Sequence, residues 1–90
     1  MGIAALILKI MPSSPSDNLH EIEKHARQVL EEEGAKNISF ETKEVAFGLK
    51  SIIVKMAWPE EKSIDIAENR LSKIKNVSSV SVEDYRRAFG

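Results

Sequence analysis

The sequence predicts an α+β sandwich of order βαββαβ, with two helices covering one face of a four-stranded antiparallel sheet whose strands lie in the order 4-1-3-2. Two observations carry this. Along the chain the hydrophobic period changes from strand-like to helical and back again in that order, which is the split βαβ arrangement. Two of the four strand segments are apolar nearly throughout and two alternate, as central and edge strands respectively do. Right-handed crossovers place the first and third strands, the apolar ones, in the middle. Ninety residues are enough for one core, burying about 60–65% of the surface an unfolded chain of that size exposes. Residues 1–90 are therefore read as a single domain.

The first strand is the apolar run Ile3 to Met11, stopped by Pro12-Ser13-Ser14-Pro15, where prolines remove backbone donors. Leu19, Ile22, Ala26, Val29 and Leu30 then recur at helical spacing, Asn18 and Glu21 form a capping box, and Gly34 suits a left-handed terminus. The spacing predicts a helix over 19–33. Ile38 and Phe40 alternate with Ser39 and Glu41 in a second strand that continues to Val45, followed by a turn at Ala46-Phe47-Gly48. The third strand is Leu49 to Trp58, closed by Pro59 and Glu60-Glu61-Lys62. Ser63 caps a second helix whose Ile64, Ala67, Leu71 and Ile74 share one stripe. Val80 and Val82, alternating with serines, mark the fourth strand, and Asp84 to Gly90 reads as a short basic and aromatic tail.

Strand parity assigns the faces. Leu6, Leu8, Ile10, Ile52, Val54 and Met56 meet the helices, with Ile38, Phe40, Val80 and Val82. Ile3, Ala5, Ile7, Lys9, Ser51, Ile53, Lys55 and Ala57 form an open face, apolar enough to receive a partner or a second copy.

Composition narrows the function classes. A domain this small has no room for a deep interdomain cleft, which favors a binding module over a small-molecule enzyme. With a formal net charge of −1 and no basic stripe, no nucleic-acid partner is indicated. The absence of cysteine removes disulfides, thiolate metal sites and thiol chemistry. The apolar start is too short to span a bilayer and lacks the marks of a signal peptide, so a cytoplasmic protein without a membrane partner is expected.

No covalent catalytic motif is present, and neither a metal site nor a cofactor is expected. His20 and His25 miss the spacing that would put two ligands on one helix face. Glu31-Glu32-Glu33 reads as a solvated acidic run at an electrostatically unfavorable helix end. Three groups remain as candidates: Phe47-Gly48 in the hairpin turn, Trp58-Pro59 at the end of the third strand, and Tyr85 to Phe89. Each has a bland counterpart. Phe47 can fold back over the core edge, Trp58 faces the helices by parity and belongs to the core, and Arg86 and Arg87 can be solubilizing charges on a frayed terminus. Because the first two strands run one way and the last two the other, the hairpin and the C-terminus lie at opposite ends of the sheet. Two prongs so placed can bridge two domains of one partner.

Lys9 to Pro15, Ala46-Phe47-Gly48-Leu49-Lys50 and Val80 to Arg87 together resemble the archaeal elongation factor 1-beta family, in order and position along essentially the whole chain. The resemblance implies a ferredoxin-like domain that is not an enzyme in its own right but exchanges GDP for GTP on elongation factor 1-alpha, the GTPase of translation elongation. Its partner would be that GTPase with its bound GDP and magnesium. In eukaryotic relatives a phenylalanine in an F-G turn contacts one domain of the GTPase and a lysine near the chain end reaches its magnesium site. Carried over, these roles fall on Phe47 with Gly48, and on Arg87 with Arg86 as the adjacent candidate; Tyr85 joins them in the partner-binding set. Arginine in place of lysine, and Ala88-Phe89-Gly90 beyond it, depart from the pattern.

A ferredoxin-like fold alone proves none of this. An RNA-recognition module would need stacking aromatics on the open face, where the odd positions hold none. An acylphosphatase-like enzyme would need a glycine-rich phosphate cradle, which is missing. A small-ligand-binding or dimerizing regulatory domain remains as the alternative, since the open face would serve it equally well.

Overall fold

The apolar run at the start of the chain becomes β1 (Ile3–Pro12), and the remaining elements follow as α1 (Leu19–Glu32), β2 (Lys36–Glu44), β3 (Lys50–Pro59), α2 (Ile64–Ser72) and β4 (Val77–Arg87). These come from a computed structural model that describes residues 2–87. The strands form one sheet in the order β2-β3-β1-β4, with every neighboring pair antiparallel. This is the predicted order read from the other edge, so the α+β ferredoxin-like class holds.

Alternation on the two central strands builds the core. Leu6, Leu8 and Ile10 of β1 and Ile52, Val54, Met56 and Trp58 of β3 pack against Ile22, Ala26 and Leu30 of α1 and Ala67 and Leu71 of α2. Trp58 is wholly buried and its indole N–H donates to the Lys62 carbonyl at 3.1 Å, fastening the end of β3 to the loop that enters α2. Burying that ring without a partner for its N–H would be costly. Trp58 is therefore a core residue, as its parity requires.

The helix ends follow their local sequence. The Asn18 side chain accepts from the Glu21 N–H at 3.3 Å, and the Ser63 hydroxyl accepts from the Asp65 N–H at 3.1 Å. At the other end of α1, Gly34 takes φ of +94°, and the N–H groups of Gly34 and Ala35 return to the carbonyls of Glu31 and Leu30, both at 3.0 Å. This is a Schellman closure, which requires the left-handed residue that glycine supplies.

The acidic run at this end differs from the solvated stretch expected. Glu33 receives Lys62 Nζ and Arg70 Nη1, each at 2.9 Å, and Glu32 receives Arg70 Nη2 at 2.8 Å. Cations from the β3–α2 loop and from α2 answer the charge that the helix dipole disfavors. Hydrogen bonds from Lys62 and then Arg70 hold the Glu33 carboxyl below its ordinary value of 4.5. A carboxylate with a depressed folded-state pKa contributes stability above its unfolded value and loses it as the pH falls through the folded value. We expect Glu33→Gln to melt lower than the wild type at neutral pH, and the gap to close as acidification carries the pH well below 4.5. Thermal melts across that range check this.

Simple alternation fails in β4. Ile7 pairs with Asp84 and Leu8 with Val82, so Glu83 is an extra residue, a bulge. Beyond it the parity is reversed. Tyr85 sits opposite Leu6 and packs against the core, whereas Asp84 and Arg86 turn to the open face. The expected tail is in fact paired strand through Arg87, because β1 continues to offer it backbone partners as far as Ala4. Ala88, Phe89 and Gly90 lie outside the described residues. Val82 is on the helix side as expected but is exposed, being on an edge strand.

The open face is also less open than expected. Ser51 is fully buried, with its hydroxyl donating to the Lys43 carbonyl at 3.2 Å, and Ile53 is buried between Lys9 and Glu41 in the pairing register. Long neighboring side chains cover the middle of the face, and the Lys55–Glu41 pair at 3.1 Å lies beside Ile53. What stays accessible and apolar is the end toward Ile3, where Ile3, Ala5 and Ala57 floor a shallow trough of about 330 Å³.

Candidate functional site

The β2–β3 hairpin turns through Ala46, Phe47 and Gly48, in the register that pairs Glu44 with Lys50. The Val45 N–H donates to the Leu49 carbonyl at 3.0 Å and the Leu49 N–H to the Ala46 carbonyl at 2.9 Å, leaving Phe47 and Gly48 at the tip. Their φ angles, +54° and +79°, are those of a type I′ turn, whose twist matches the flanking strands. That geometry suits Asn-Gly. Phenylalanine in the left-handed region is strained by about 1–2 kcal/mol. Phe47 is also 97% exposed, so its ring recovers none of that cost from the core. The bland reading, a ring folded back over the core edge, is excluded. Gly48 needs only its φ, since a Cβ there would meet nothing.

At the opposite end of the sheet the two arginines diverge. Arg86 is opposite Ala5 and lies on the open face, with Nε 3.0 Å from Asp84 of the same strand. Arg87 is opposite Ala4 and lies on the helix side of the rim, with Nε 3.7 Å from Glu60. Adjacent positions on a strand point to opposite faces, so the two cations cannot both enter one narrow site. Tyr85, between them and the core, braces β4 from within. Glu60 carries no sequence signal, being one of three charged residues after Pro59; only the ends of three strands brought together reveal it. His20 and His25 stay exposed on α1, and among the described residues no group of three or more His, Cys, Asp or Glu could hold a metal. No helix of the described residues is long and apolar enough to cross a membrane.

An exposed, strained aromatic stands at one end of the sheet, and cations with an apolar trough beside them stand at the other, features common to protein-docking domains. A family model for the EF-1 guanine nucleotide exchange domain matches residues 5–88. Elongation factor 1-beta of Halobacterium salinarum is 33% identical over 88 residues, covering 97% of this chain and 99% of the relative. The protein of the same name from Methanothermobacter thermautotrophicus is 31% identical, covering 97% and 98%, and that from Methanocella arvoryzae is 35% identical, covering 91% and 92%. The chain belongs to the EF-1 guanine nucleotide exchange domain family and acts as a guanine nucleotide exchange factor for elongation factor 1-alpha in translation elongation. Of the two readings the sequence left open, membership selects the exchange factor over the regulatory domain.

Proposed function

We propose that residues 1–90 form a single exchange domain that grips elongation factor 1-alpha at two points, Phe47 anchoring it and Arg87 destabilizing the bound GDP and its magnesium ion. The observation that carries this reading is placement. Phe47 and Arg87 stand at opposite ends of a sheet in a molecule 42 Å long, too far apart to serve one small pocket and well suited to two domains of one partner. Gly48 sets the turn that presents Phe47, Tyr85 fixes the strand that presents Arg87, and Arg86 adds charge on the open face beside the trough.

GDP on the GTPase would be held through its phosphates and a magnesium ion, and a guanidinium entering that site would compete with the ion for oxygen partners. No bond of the nucleotide is made or broken, and the domain needs neither a cofactor nor a nucleic acid nor a membrane for this work, which belongs in the cytoplasm. Promotion of release is then linkage: the factor binds the nucleotide-free GTPase more tightly than the GDP-bound form, and GDP weakens the factor by the same ratio. A thousandfold preference corresponds to about 4 kcal/mol of coupling. The test is a pair of equilibrium titrations against nucleotide-free and GDP-bound elongation factor 1-alpha. Tighter binding to the nucleotide-free form, by a factor on the order of a thousand, is expected; equal affinities would sink the reading.

A further inference from the structure

We propose that Glu60 is a positioning residue for Arg87, a role that rests on the reading of Arg87 given above. Glu60 follows the last residue of β3, whereas Arg87 is on β4, on the far side of β1. The carboxylate spans the start of β1 to reach the guanidinium, and two features hold it there. The Glu60 N–H donates to the Gly2 carbonyl at 3.1 Å, and the side chain lies so close over Gly2 that a Cβ at that position would overlap the carboxylate. The acid is well packed, with its side chain 24% exposed, while the arginine side chain is 74% exposed.

The contact is made through Nε of Arg87, at 3.7 Å, an ion-pair distance rather than a hydrogen bond. Nε lies on the stem side of the fork, away from its two outward prongs. A guanidinium presents five donors in a rigid fork, so an acid behind Nε can steady the base of the fork while its two prongs stay available to phosphate oxygens. A free arginine has many rotamers to lose on docking. Restricting them beforehand lowers the cost of insertion without adding any contact to the partner.

Maximal GDP-release rate and half-saturating factor concentration, measured for Glu60→Gln, Gly2→Ala, Arg87→Ala and the Glu60→Gln/Arg87→Ala pair, test this. We expect Glu60→Gln to lower the maximal rate roughly two- to fivefold, the most by which a solvent-screened pair biases one long side chain, with half-saturation unchanged. Gly2→Ala, which displaces the carboxylate without removing its charge, shifts the rate in the same direction. The double variant matches Arg87→Ala alone, because Glu60 acts through that side chain. A wild-type maximal rate for Glu60→Gln, or a further loss of the same factor in the double variant, overturns the proposal. Loss in Arg87→Ala with none in Glu60→Gln rejects Glu60 and leaves Arg87 standing; no loss in Arg87→Ala removes both.

Discussion

Arg87→Ala lowers the maximal rate of GDP release about ten- to a hundredfold, the equivalent of the 1.5–3 kcal/mol that a hydrogen bond to a charged group contributes. The half-saturating concentration moves little. An interaction made only as nucleotide leaves raises the rate at saturation, whereas one made equally before and after changes only affinity. The side chain is exposed at the sheet's end, and among the described residues its one ionic contact is Glu60, a longer and solvent-screened pair, so its loss costs the fold little. Arg87→Lys recovers part of the rate, since it keeps the charge but loses the planar fork. Arg86→Ala has the smaller effect because Arg86 points to the other face beside Asp84. A maximal rate unchanged in Arg87→Ala would remove the cation from the mechanism.

Phe47→Asn produces two effects of opposite sign. Asparagine accepts the left-handed conformation that phenylalanine resists, so the domain gains about 1 kcal/mol and melts roughly 4–8 °C higher. The partner loses an aromatic anchor whose burial contributes about 1.5–3 kcal/mol, so half-saturation rises some ten- to a hundredfold. Phe47→Ala weakens binding similarly without relieving the strain in full. A damaged fold cannot yield higher stability with lower affinity. If Phe47→Asn bound elongation factor 1-alpha as tightly as wild type, the ring would not be the anchor. A strained and exposed residue of this kind is where stability is given up for contact.

The architecture was legible because local periodicity and global topology agree. Leu6, Leu8 and Ile10 alternate correctly with β1, Ile22, Ala26 and Leu30 trace the buried stripe of α1, and Asn18, Ser63 and Gly34 end the helices as their chemistry dictates. The turn that carries Phe47 was legible from its neighbor Gly48, though the left-handed φ of Phe47 was not, because a sequence does not say which residues of Ala46-Phe47-Gly48 take positive φ. The C-terminal end was legible only in part. The bulge at Glu83 depends on how β4 meets β1 and reverses the facing of every residue after it, while pairing that continues to Ala4 makes a strand of the expected tail and so sets Arg86 and Arg87 on opposite faces. The ion pairs of Glu33 and Glu60 join residues distant in sequence, and periodicity carries no information about them.

The most direct measurement is the release rate of a fluorescent GDP analog from elongation factor 1-alpha, with and without this protein, chased by excess unlabeled nucleotide. Release accelerated by orders of magnitude and saturating with factor concentration is the predicted result; release at the unassisted rate at every concentration would contradict it.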